Sequence, residues 1–117
     1  MITFSLPMPP STNALYRNVP GKGRVKTADY RAWIASAGWE LKMQGVVTHA
    51  PLLAEMECRI RLAPRSRIDI DNAVKPLFDV MQSMGLIKND RQIKRLSVDA
   101  LTKLEPGRCE VSLIQVG

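Results

Sequence analysis

Between Leu52 and Leu62 the chain alternates with a strict period of two. Ala54, Met56, Cys58, Ile60 and Leu62 fall on one side, and Glu55, Glu57, Arg59 and Arg61 on the other. Only an extended strand separates those two sets, and the pattern requires a sheet with one face covered and one face wet. The rest of the fold must be arranged around it. Residues 2–6 alternate in the same way, with Ile2, Phe4 and Leu6 against Thr3 and Ser5, and stop at Pro7, Pro9 and Pro10. Leu96 to Leu104 and Cys109 to Val116 read as two further strands, with Glu105-Pro106-Gly107-Arg108 as a hairpin turn between them.

Two segments have helical spacing. Over 28–45, Trp33, Ile34, Ala37 and Leu41 recur on one side, Thr27 or Asp29 can cap the start, and Gly45 can end it. Trp33 and Trp39 read as packing residues, because no cations interleave with them. From about Ile70 or Asn72 to Met84, Val74, Leu77, Phe78, Met81 and Met84 share a face, with Gly85 at the C′ position. Pro76 is tolerable if it lies in the first turn. Residues 86–92 read as a polar turn. The order is β-α-β-α-β-β. It predicts a mixed α+β domain with a sheet of about four strands and two helices packed mainly on one face. Strands joined by a helical crossover would be parallel and the last two an antiparallel hairpin. With 117 residues, one domain spanning 1–117 is expected.

Charge is the unusual part of the composition. Seventeen Lys and Arg face eleven Asp and Glu, a formal net charge of +6, and ten of the cations are Arg. Such a domain suits a polyanionic partner, most often nucleic acid. The cations concentrate in two stretches. From Ser11 to Lys26 a Pro-, Gly- and Asn-rich run carries Arg17, Lys22, Arg24 and Lys26. It reads as a long loop, either a DNA-contacting arm or a solvated connection. Arg59, Arg61, Arg65 and Arg67 form the second stretch. No apolar run is long enough to span a membrane and no signal peptide is evident, so a cytoplasmic location is expected. Cys58 and Cys109 match no metal or redox spacing and read as buried, reduced thiols; His49 reads as a surface residue.

The densest polar cluster is Arg67-Ile68-Asp69-Ile70-Asp71-Asn72. On an extended backbone Asp69 and Asp71 would point the same way, roughly 6–7 Å apart at Cα. Two carboxylates aimed at one place repel unless a cation lies between them. An EF-hand is excluded, because its later positions fall on Ala73, Val74 and Val80. Helix capping, with Asp69 paired to Arg67, explains the pattern, and so does a hard-metal site holding Mg²⁺ or Mn²⁺. Asp90 lies beyond the second helix, and a helix of that length would carry it some 20 Å from Asp69, so only the tertiary fold could reunite them. Lys75, four residues after Asp71, is either a surface ion-pair partner of Asp71 or Asp79 or a group facing the same site.

Residues 69–79 read Asp-Ile-Asp-Asn-Ala-Val-Lys-Pro-Leu-Phe-Asp, followed by Gly85-Leu86 and Asn89-Asp90-Arg91-Gln92-Ile93. With the opening Pro7-Met8-Pro9-Pro10-Ser11-Thr12-Asn13 and Tyr16-Arg17, this order and spacing resembles the RusA family of Holliday junction resolvases over nearly the whole chain. The resemblance implies metal-dependent cleavage of four-way DNA junctions by a homodimer. It maps the metal-binding acids onto Asp69, Asp71 and Asp90, and an essential lysine onto Lys75. Asn89 departs from the family, which often has a second acid there. The two cationic stretches then have a task beside such acids, and the expected DNA contacts are Arg17, Lys22, Arg24, Lys26, Arg59, Arg61, Arg65, Arg67 and Asn72. Two other readings stand beside it: a non-catalytic, basic nucleic-acid-binding module, and an RNA-directed metallonuclease. Leu101, Ile114 and Val116 could contribute to a dimer interface.

Overall fold

A computed structural model describes residues 1–64 and 69–116. Four strands form the main sheet: β1 (Ile2–Pro7), β4 (Met56–Leu62), β5 (Ile93–Asp99) and β6 (Arg108–Gln115). A hairpin of β2 (Tyr16–Val19) and β3 (Gly23–Lys26) precedes helix α1 (Ala28–Met43), and α2 (Val74–Ser83) links β4 to β5. The sheet order is β1-β6-β4-β5, with β6 antiparallel to both neighbours and β4 parallel to β5. The mixed α+β class, the four-stranded sheet and the two helices agree with the pattern in the sequence.

Register explains the two faces. Phe4 lies opposite Val111, Leu6 opposite Cys109, and Cys58, Ile60 and Leu62 opposite Leu113, Val111 and Cys109. These side chains are buried and pack with Tyr30, Trp33, Ala37 and Leu41 of α1 and Leu77, Val80 and Met81 of α2. The α1 helix starts as expected: Thr27 accepts the Tyr30 N–H at 3.2 Å. Its hydroxyl donates to the Ala14 carbonyl at 2.6 Å, tying the base of the hairpin to the helix. Gly38 permits the close approach of the helices, since a Cβ there would meet Met84 Sδ at 2.8 Å. At the free edge of β1, Gln44 donates to Ser5 O at 2.7 Å and accepts from Ser5 N at 2.8 Å, occupying backbone groups that would otherwise invite another strand.

Several expectations are corrected. The Glu105–Arg108 turn exists, with Arg108 N donating to Glu105 O at 3.2 Å, but β5 and β6 do not form a hairpin. The chain crosses to the far side of β4. The more apolar strand, with Cys109, Val111 and Leu113 fully buried, takes the central position, while β5, with Leu96 exposed, takes the edge. The strand itself runs Ile93–Asp99 rather than from Leu96 to Leu104, and its register against β4 shifts by one residue at Lys94, between the pairs Met56–Ile93 and Glu57–Arg95. The stretch from Ser11 to Lys26 is not simply a loop. Its turn places Pro20 second and Gly21, at φ 78°, third, closed by Lys22 N to Val19 O at 3.0 Å, which is the chemistry of a type II turn. Trp39 is 64% exposed rather than packed. Leu86 and Ile87 are buried, so the 86–92 turn is polar only in its second half.

Candidate active site

Asp69 and Asp71 flank the first residue of a 3-10 turn, Ile70–Ala73, that leads into α2. The extended geometry expected for the pair therefore holds only at Asp69 (φ −67°, ψ 149°); Asn72 N donates back to Asp69 O at 3.0 Å. Both acids are exposed. The Asp69 side chain makes no capping bond. Pairing of Asp69 with Arg67 falls on 65–68, outside the described residues, as do Arg65 and Arg67 themselves. Among the described residues neither carboxylate has an ion-pair or hydrogen-bond partner.

Asp90 does not join them within one chain. It opens a second 3-10 turn, Asp90–Gln92, just before β5. Its backbone N–H donates to Gln82 Oε1, in the last turn of α2, at 3.1 Å. The helix runs back along the sheet, as a crossover between parallel strands must. Leu86 meets Leu52 ahead of β4 (2.9 Å), whereas Asp69 follows the far end of β4. From Asp71 to Gln82 is roughly 17 Å along the helix axis. Among the described residues, no three of His, Cys, Asp and Glu converge as a metal site. Asn89, the departure from the family pattern, forms a capping box with Gln92: it accepts from Arg91 N at 2.8 Å while its own N–H donates to Gln92 Oε1 at 2.9 Å.

Lys75 lies in the first turn of α2, one turn after Asp71. Its Nζ is 3.4 Å from Asp79 Oδ2, the i+4 partner expected from spacing. The same oxygen accepts the Tyr30 hydroxyl at 3.3 Å. Beside it a cavity of about 450 Å³ is lined by Tyr16, Lys26, Tyr30, Asp79, Gln82 and Ser83. The base of the cationic hairpin thus borders α2.

The cations fall into two groups. Arg17, Lys22, Arg24 and Lys26 are exposed and have no carboxylate partner among the described residues. Arg24 lies over the Tyr16 ring at 4.6 Å, and Lys26 over Tyr30 at 5.9 Å. A polar cleft of about 320 Å³ opens among Asn13, Tyr16, Arg17, Asn18 and Arg24. On β4, by contrast, Arg59 pairs with Glu57 at 2.8 Å and Arg61 with Glu110 at 2.8 Å. Glu57 also takes Arg95 at 3.6 Å. The hydrogen bond from Arg59 and the surrounding positive charge hold the Glu57 carboxyl below its ordinary value of 4.5.

The sequence profile described as Endodeoxyribonuclease RusA matches residues 7–114. The chain is 35% identical over 104 residues to the crossover junction endodeoxyribonuclease RusA of Aquifex aeolicus (strain VF5), covering 88% of this chain and 79% of the relative. It is 28% identical over 117 residues to that of Escherichia coli (strain K12), covering 98% and 95%. It is also 28% identical over 116 residues to that of Enterobacteria phage 82, covering 97% and 94%. The chain belongs to the RusA endodeoxyribonuclease family.

RusA membership leaves two site features that spacing did not reveal. Spacing does not single out Tyr30, and its hydroxyl reaches Asp79 on the other helix. Nor does it single out Gln82, whose side chain tethers the Asp90 turn. In the sequence, a Tyr on an apolar face and an Asp beside Phe78 were the available signals; a buried phenol needs a partner. The Cys58 and Cys109 thiols are buried and free, each pushed up to about 12 by burial, and take no part in the site. His49 is exposed.

Proposed function

We propose that this protein is a Mg²⁺-dependent endonuclease that resolves four-way DNA junctions by paired, symmetrical nicks, in recombination and repair in the cytoplasm. The observation that carries this reading is similarity along nearly the whole chain to relatives named crossover junction endodeoxyribonucleases. The donor chemistry supports it: Asp69 and Asp71 offer hard carboxylate oxygens, without a partner among the described residues, which suit Mg²⁺ or Mn²⁺. A bound ion supplies an acidified water and neutralises the phosphate. Lys75 stabilises negative charge on the scissile phosphate. The hairpin cations Arg17, Lys22, Arg24 and Lys26 draw in the DNA backbone that the acids would repel.

A junction has near two-fold symmetry, and a homodimer presents two matched sites. The fold adds a reason for pairing. Asp90 stands at the opposite end of α2 from Asp69 and Asp71, so a three-carboxylate site requires Asp90 from a second copy. No helix among the described residues is long and apolar enough to cross a membrane.

Incubation with a synthetic four-way junction, a linear duplex and single-stranded RNA, in Mg²⁺ and in EDTA, tests the reading. Paired nicks in the junction alone, only with metal, are expected. Binding without cutting under every metal condition would sink it in favour of a silent binding module, and cleavage of the RNA would redirect it to an RNA metallonuclease.

A further inference from the structure

Lys75 starts from a poor position for a group that must meet one phosphate. It is exposed, on the first turn of a helix, at the end of a flexible four-carbon stem. An i,i+4 pair with Asp79 removes only a small part of that freedom when both partners are free to move. Asp79, however, is tied to the core. The oxygen that takes Lys75 Nζ at 3.4 Å also accepts the Tyr30 hydroxyl at 3.3 Å.

Tyr30 has no freedom of its own. It is fully buried, stacked on Trp33 at 6.3 Å between ring centroids, and met edge-on by Tyr16 at 5.8 Å. Its backbone N–H is fixed by the Thr27 cap. Burial and the neighbouring Asp79 charge raise the phenol well above its ordinary 10.0, so the hydroxyl stays a donor. A chain of contacts therefore runs from the rigid core through a carboxylate to the exposed ammonium.

We propose that Tyr30 and Asp79 are positioning residues that hold the Lys75 ammonium for the cleavage step. The proposal rests on the nuclease reading for its consequence, and on the contacts alone for its geometry. In this arrangement Asp79 serves neither as metal ligand nor as base. Its charge compensates Lys75, and its second contact limits where that charge can be.

Tyr30→Phe removes one oxygen and keeps both ring contacts, so the fold survives; a thermal melt checks this. Two measurements then follow on the full chain. The first is the side-chain mobility of the Lys75 ammonium by ¹⁵N relaxation, assigned through its loss in Lys75→Ala. Mobility is expected to rise in Tyr30→Phe and further in Asp79→Ala. The second is the single-turnover rate on a four-way junction in Mg²⁺, set against the junction Kd. The rate is expected to fall roughly 10- to 100-fold at unchanged Kd, because an ångström of misplacement can cost about 100-fold. Asp79→Glu is expected to restore part of that rate relative to Asp79→Ala. Unchanged ammonium mobility in Tyr30→Phe overturns the proposal whether or not the protein cuts DNA. A mobile ammonium with a wild-type rate overturns the catalytic consequence. Wild-type protein inert on junctions in Mg²⁺ and Mn²⁺ overturns the nuclease reading instead, a result distinguishable from either of these.

Discussion

The β2–β3 hairpin and the outer face of β4 both read as basic in one dimension, yet they differ in what faces their cations. The hairpin sends out Arg17, Lys22, Arg24 and Lys26 with aromatic rings beside two of them and, among the described residues, no carboxylate. The β4 face gives Arg59 and Arg61 to Glu57 and Glu110. Glu57 in turn takes Arg95 from the next strand. Charge counted along a chain therefore overstates the basic surface wherever sheet register supplies a cross-strand partner. Of these two regions, and among the described residues, the hairpin is the one whose cations stay without a carboxylate, and the β4 face is held together by charge.

Separating holding from cutting tests this contrast most severely. If the hairpin alone retains DNA, Asp71→Asn abolishes cleavage, by about 1,000-fold or more in single-turnover rate. Junction affinity is then kept or improved, because a repulsive charge has gone. Asp90→Asn behaves the same way. A purified heterodimer of the two variants then distinguishes the arrangements. With acids shared across the dimer, one of its two sites is intact and it nicks a single strand, while both parent homodimers are silent. A silent heterodimer overturns the sharing.

Replacing the four hairpin cations together with Gln is the next largest effect. Junction affinity is expected to fall about 100- to 1,000-fold at 0.1 M salt. The slope of log K against log salt should shrink by about 0.9 for each phosphate that is no longer neutralised. Replacing Arg59 and Arg61 should leave both quantities nearly unchanged and lower the melting temperature instead. Equal reductions of affinity from both sets would collapse the distinction between the two regions, and place the β4 face in the DNA interface as the linear sequence suggests.

The covered and wet faces of β4, the Thr27 cap and the crossover helix were legible because period and capping are local properties. The sheet order was not. Glu105-Pro106-Gly107-Arg108 is good turn chemistry, and it does close a turn, but whether β6 pairs with β5 or crosses to the far side of β4 depends on which strand has more apolar surface to bury. The hairpin around Pro20 and Gly21 was legible in principle, since that dipeptide specifies its turn. At the candidate site, the identity of Asp69, Asp71, Lys75 and Asp90 followed from the motif. Their distribution along α2 followed only from its direction across the sheet. Tyr30 was hidden for the same reason as the Arg61–Glu110 pair: the partner lies on another element.

Glu57 offers the finest test of the β4 face. Its carboxyl is held below 4.5 in the folded protein, chiefly by the hydrogen bond from Arg59, then by the charges of Arg59 and Arg95. A group whose folded pKa is depressed stabilises the fold above its unfolded value and loses that contribution as pH falls through the folded one. Glu57→Gln should therefore melt below the wild type at pH 7, and the gap should close as the pH drops below about 4.5. Above about pH 6 the gap should be flat, since no further proton is released there. Salt should narrow it only in part, because Glu57 is largely covered and the screening of a covered pair is weaker than that of an exposed one. A gap that persists unchanged at about pH 3, below the ordinary carboxylate range, would mean that Glu57 stabilises by packing rather than by charge. The contrast with the hairpin would then rest on shape alone.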